Sequence, residues 1–128
     1  MSDTTDAPDP RLVELAHQMF DLARKGESEQ LAGYVDAGVP VDLTDASGNT
    51  LLMLAAYHGH AGTVRALAER GADVNRANDR GQTPLAGAVF KDEGDVVAAL
   101  GDAGADPDAG TPTARETAVM FGRGDTFT

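Results

Sequence analysis

Apolar residues in this chain recur at helical spacing. Leu12, Leu15, Ala16, Met19, Phe20 and Ala23 fall three or four apart, as in a helix with one buried face. Asp9 and Pro10, just before this stretch, read as an N-cap followed by proline at the first helical position, and Gly26 after it reads as a C-terminal cap. The pattern then returns in pairs of short segments. Helices are predicted at 51–58 and 63–70, broken by Gly59 and ended by Gly71, and at 84–90 and 95–103, opened by Pro84 and ended by Gly104. A last helix is predicted at 116–123. The segments 42–48, 75–81 and 108–113 are short, polar and turn-rich, and predict β-turn fingers between the helix pairs.

The pairs are copies of one another at a spacing of 33. Gly48, Thr50 and Leu52 return as Gly81, Thr83 and Leu85; Val64 and Leu67 as Val97 and Leu100; Gly71, Ala72 and Asp73 as Gly104, Ala105 and Asp106. One such unit cannot bury its own apolar face, whereas several stacked units can. The expected organisation is an acidic, disordered tail at 1–9 and one domain at 10–128, with units at about 10–44, 45–77 and 78–110 and a terminal cap at 111–128. The expected core is Leu52, Ala55, Val64, Leu67, Leu85, Ala88, Val97 and Leu100.

Asn78 to Leu85, reading Asn-Asp-Arg-Gly-Gln-Thr-Pro-Leu, followed by Gly104-Ala105-Asp106, resembles the ankyrin repeat. So do Asp45 to Leu52, Ala55-Ala56, Gly59-His60 and Gly71-Ala72-Asp73-Val74-Asn75, and the resemblance covers about residues 10–124. It implies an all-α solenoid of helix-turn-helix units with short fingers, about three full repeats plus a C-terminal cap helix, in a small stand-alone protein of bacterial type. The sequence departs from the family pattern in places. The family's finger-supporting histidine is replaced by Met53 and Ala86, which suggests looser fingers, and Asp92-Glu93 stands where the preceding unit has Gly59-His60. The first unit lacks a finger, and the last stops after one helix.

Composition narrows the function. There are 21 acidic and 10 basic residues, a net charge of −11, which disfavours nucleic acid and anionic membrane surfaces. With no Cys there are no disulfides, thiolate nucleophiles or cysteine-bound metals, in keeping with a reducing cytoplasm. No apolar run approaches the length of a membrane helix, and the first ten residues lack a signal-peptide layout. No nucleophile motif, phosphate loop or dinucleotide loop occurs, so neither catalytic nor cofactor residues are assigned. His58 and His60 lie two apart and point to different helix faces, Asp102, Asp106 and Asp108 lack a calcium-loop layout, and Arg123-Gly124-Asp125 reads as a helix end; no metal site is expected.

The resemblance implies binding of a protein through finger tips and inner helices, which together form a concave face. Carried over by register, the candidate partner-binding residues are Arg24, Lys25, Asn49, Tyr57, His58, Arg80, Gln82, Phe90, Lys91, Arg115 and Arg123. Six of the ten basic residues fall in this set, which predicts a basic inner face on an acidic body and a partner with an acidic patch. Tyr57 and Phe90, 33 apart, are expected side by side as aromatic anchors. The expectation is thus a monomeric, cytoplasmic, non-catalytic adaptor or regulator. The alternative is an immunity-type or antitoxin protein that masks a basic partner with its acidic outer surface. A third possibility is head-to-tail self-association of acidic and basic faces.

Overall fold

A computed structural model describes residues 9–127. The expected tail lies outside these residues apart from Asp9, whose carboxylate accepts from Arg11 N (2.9 Å) and caps the first helix. Seven helices follow among the described residues: α1 (Pro10–Lys25), α2 (Ser28–Asp36), α3 (Leu51–Tyr57), α4 (Ala61–Glu69), α5 (Pro84–Phe90), α6 (Gly94–Asp102) and α7 (Ala114–Met120), with a 3-10 turn at Gly124–Phe127. They pair as α1/α2, α3/α4 and α5/α6. The inner helices stack in the order α1, α3, α5, α7, and the outer ones in the order α2, α4, α6. No strand forms among the described residues; an isolated bridge joins Thr44 and Thr50 across the first finger.

The same local chemistry starts three of the inner helices. Thr50, Thr83 and Thr113 occupy the N-cap with extended backbone, and each hydroxyl accepts from the backbone N–H three residues on, at 3.1, 3.2 and 3.0 Å. At Thr113 the bond is reciprocated, because Glu116 accepts from the Thr113 N–H (2.8 Å). This box moves the last helix two residues earlier than the expected 116–123, and Gly122, at φ 73°, leaves Arg123 beyond its end.

The first unit solves its missing finger by lengthening its helix. Lys25 aligns with His58 at the 33-residue spacing, so the first eight residues of α1, 10–17, occupy the finger's register. Leu15 and Ala16 there are half-buried and join the core together with Val39, Val41 and Leu43.

The core runs along the stacked inner faces. Leu51, Leu52, Ala55, Ala56, Val64 and Leu100 are fully buried, with Met19 and Ala23 below them and Leu85, Ala88 and Val96 above. Of the expected core, Val97 alone is only half-buried. Its counterpart Val64 lies on α4, which packs between the outer helices α2 and α6, whereas α6 is the last outer helix among the described residues and packs on α4 alone of them.

Successive units lock together through recurrent contacts. A Cβ on Gly26, at φ 73°, would stand 2.5 Å from His60 Nδ1, and the same ring donates from Nε2 to the Arg24 carbonyl (2.7 Å). One unit on, the Glu93 carboxylate lies equally close over Gly59. The Asp92-Glu93 departure is thereby accommodated: Glu93 covers a glycine as His60 does, and Asp92 adopts φ 58° where Gly59 has 83°. The turns ladder in the same way, with Asp42 accepting from Asp73 N (3.0 Å) and Asn75 accepting from Asp106 N (2.7 Å).

Candidate functional site

The fingers hold their shape without the family's histidine. Asp45 Oδ1 accepts from Ser47 N and Asn49 N, both at 2.9 Å, and Asn78 Oδ1 accepts from Arg80 N (3.0 Å) and Gln82 N (3.1 Å). The fingers also bond to one another: Asn78 Nδ2 donates to Asn49 Oδ1 (2.9 Å), and Asp79 N donates to the Ser47 carbonyl (3.0 Å). The looser fingers expected from Met53 and Ala86 are therefore not found. Carboxamide and carboxylate turns supply the bonds instead.

Where the two fingers meet helices α3 and α5, a groove of about 370 Å³ opens, lined by Asn49, Met53, Leu54, Tyr57, Asn78, Arg80, Gln82 and Phe90. Five of the expected site residues are thus brought together: Asn49, Tyr57, Arg80, Gln82 and Phe90. Met53 and Leu54, both nearly buried, form its floor. Lys91 joins from the side, its Nζ 4.6 Å from the centre of the Tyr57 ring. Tyr57 also meets His58, ring centres 5.8 Å apart. Burial, and then the neighbouring charges of His60, Lys91 and Arg24, hold the His58 imidazole below its ordinary range, which favours the neutral ring.

The basic residues are less free than the register implied. Arg24 pairs with Asp21 one turn back on α1 (3.0 Å). Arg115 grips Asp108 (2.8 Å) and donates to the Phe127 carbonyl (3.1 Å). Arg123 donates to the Val89 carbonyl (2.8 Å) and pairs with Asp92 (3.4 Å), so it ties the chain after α7 to the end of α5. Carboxylates neutralise these three, from the same helix for Arg24, the preceding turn for Arg115 and the preceding unit for Arg123. Among the described residues, Lys25, Arg80 and Lys91 form no ion pair, and they are the cations of the set left to a partner. Arg115 and Arg123 stand at the last unit, away from the groove lining.

Sequence reasoning missed the groove floor and the state of the last unit. Aligned on their threonine N-caps, Ala56, Val89 and Val119 share one repeat position, yet they are 0%, 2% and 65% exposed. Phe90 and Phe121 meet edge to face, ring centres 5.3 Å apart, and both are 47% exposed. The last unit is set 30 residues after the one before it, Thr113 against Thr83, so a strict spacing of 33 misplaces its side chains.

The architecture is that of a helical solenoid whose fingers and inner helices form one face. A sequence model of three consecutive ankyrin repeats matches residues 19–111, and the chain belongs to the ankyrin-repeat family. The match stops short of α7. An ankyrin repeat protein of Pseudomonas aeruginosa is 51% identical over 65 residues, covering 48% of this chain and 38% of its own length. Human ankyrin repeat domain-containing protein 29 is 47% identical over 60 residues, 46% of this chain and 20% of its own. The chain thus spans well under half the length of these relatives. The crystal structure of the human ASB11 ankyrin repeat domain superposes with a TM-score of 0.65 at 30% identity, covering 70% of this chain and 40% of that one. Repeats of this family are in general protein–protein interaction modules and typically non-enzymatic. No helix among the described residues is long and apolar enough to cross a membrane, and no group of His, Asp and Glu among them is placed to hold a metal ion.

Proposed function

We propose that this protein is a non-catalytic adaptor or regulator of the cytoplasm that docks one partner protein through its concave face. The observation carrying this reading is the groove between the first two fingers and helices α3 and α5. It combines an apolar floor, two aromatic walls and Arg80, which forms no ion pair among the described residues, in one depression. Aromatic and arginine side chains of this kind anchor protein interfaces. The groove is suited to an apolar side chain flanked by a carboxylate, with Met53, Leu54 and Phe90 around the former and Arg80 and Lys91 facing the latter. Its walls are fixed by inter-finger hydrogen bonds, so little rearrangement is needed on binding.

The test is capture from native cell extract with wild type beside an Arg24→Glu, Arg80→Glu, Lys91→Glu variant of unchanged helicity. The expected result is one protein held by wild type and lost by the variant, with retention weakening as salt rises. If both hold the same protein, the concave face is not the working surface. The acidic outer surface then takes its place, as in an immunity-type or antitoxin protein.

A further inference from the structure

The groove between the fingers opens where one side chain is missing. Gly87 lies in the middle of α5, four residues after its threonine N-cap. Its equivalents in the neighbouring units, Leu54 after Thr50 and Thr117 after Thr113, carry side chains and are 7% and 4% exposed. A Cβ on Gly87 would stand 3.2 Å from the Met53 methyl carbon, 3.6 Å from Tyr57 Cδ1 and 3.8 Å from Gln82 Cδ. All three neighbours line the groove. Gly87 keeps an ordinary helical backbone, with none of the positive φ that calls for glycine at Gly81 or Gly104. Within a helix glycine is a weaker former than alanine. Its conformational freedom is thus unused at 87, and what it supplies is room.

We propose that Gly87 determines what the groove accepts: one large apolar side chain, seated against Met53 and Tyr57, from an acidic peptide segment of the partner. This rests on the concave-face reading above and names the feature of the partner that is read. The incoming side chain takes the place that a side chain at 87 would hold, so the two exclude one another. Its flanks are set by charge. No carboxylate is among the residues that line the groove. Among the described residues neither the Arg80 guanidinium nor the Gln82 carboxamide has a hydrogen-bond partner, and Lys91 forms no ion pair. A carboxylate beside the apolar residue therefore meets open donors, whereas a basic segment meets like charges.

Peptide titration into protein with isotope-labelled methionine methyls tests this, with Met53 as reporter and the fully buried Met19 as reference. Acetyl-Glu-Leu-Glu-amide at millimolar concentration should shift the Met53 methyl and not that of Met19, and less as salt rises. Acetyl-Glu-Ala-Glu-amide should bind about tenfold more weakly, because alanine lacks the apolar groups that leucine buries. Acetyl-Gln-Leu-Gln-amide should also bind more weakly and lose the salt dependence. Gly87→Ala should weaken the leucine peptide by about the same tenfold at unchanged helicity, since only the flexible tip of Met53 has to move. Gly87→Leu should abolish binding, and Gly87→Ala stands in for it if it does not fold. A Gly87→Ala protein that binds the leucine peptide as wild type does overturns the proposal. So does a wild type without a Met53 shift, or one that binds the leucine and alanine peptides alike. In capture from extract, the partner should be lost both by Gly87→Leu and by the Arg24→Glu, Arg80→Glu, Lys91→Glu variant. A partner lost by the charge variant and kept by a folded Gly87→Leu overturns this inference and leaves the concave-face reading standing. A partner kept by both overturns both.

Discussion

The two ends of this solenoid face the same problem and meet it differently. Each is the outer surface of the first or last unit among the described residues. At the first end α1 is extended into the missing finger's place, and a polar stripe from Arg11 to Lys25 faces water. Leu12 and Val13 are exposed there, but on the first turn and among Arg11, Glu14 and His17. At the last end α7 has, among the described residues, no outer helix beside it, only the turn at Gly124–Phe127, and Val119, Met120 and Phe121 stay bare. A repeat position therefore does not determine burial. The neighbour does, and the same kind of residue is core in one unit and surface in the next.

The largest expected effect tests that statement on two apolar inner-helix side chains, one packed between units and one at the last unit. Met53 is 3% exposed and Val119 65%. Met53→Ala should cost about 2–5 kcal/mol, the range for truncating a packed core side chain. Val119→Ala should stay within about 0.5 kcal/mol. Urea unfolding followed by helical circular dichroism measures both. A large loss at Val119 would mean that the last end is covered in solution, and the contrast between the ends would fall. Leu85→Ala belongs with Met53→Ala, at about 2–5 kcal/mol; a thermal melt without loss would remove Leu85 from the core.

Most of the helical pairing was legible because it repeats. Asp9-Pro10, Pro84 and the glycines at 26, 71 and 104 mark helix ends that the structure also has, within a residue or two. What the repeat hid was whatever depends on position along the stack. Val97 is the equal of Val64 in sequence and lacks its cover. Ion pairs were equally illegible, because Arg123 finds Asp92 across a gap of 31 residues that only the fold closes. The groove's walls could be read from Tyr57, Arg80 and Phe90. Its floor could not, since Met53 and Leu54 read simply as core.

A middle-sized effect concerns the helix starts. Thr83 and Thr113 cap α5 and α7 alike, yet the latter opens the exposed last unit. Replacement of either by Ala should cost about 1 kcal/mol, read from the urea midpoint at constant m-value. A silent Thr113→Ala would mean that α7 frays before the main transition, making the last end dynamic as well as apolar. Amide exchange should then be faster in 114–120 than in 84–90.

The smallest effect compares the two ends through their ion pairs. Hydrogen bonds from Arg11 hold the Asp9 carboxyl below its ordinary 3.8, and a hydrogen bond from Arg115 does the same for Asp108. A carboxyl lowered by folding binds fewer protons in the folded than in the unfolded chain, so its stabilisation is present at neutral pH. That contribution is lost as pH falls through the unfolded value and on through the lower folded one. Stability should therefore be flat in this respect from pH 7 to about 5 and decline below. Asp9→Asn and Asp108→Asn should each flatten the decline slightly, because both pairs are solvent-screened. The asymmetry lies in what else depends on each pair. Among the described residues Arg11 bonds Asp9 alone, whereas Arg115 also holds the Phe127 carbonyl, so it fastens the terminal turn to α7. Asp108→Asn should thus raise amide exchange across 124–127, an effect for which Asp9→Asn has no counterpart at the other end. Equal exchange in the two variants would show that the pair at the last end is as incidental as the one at the first.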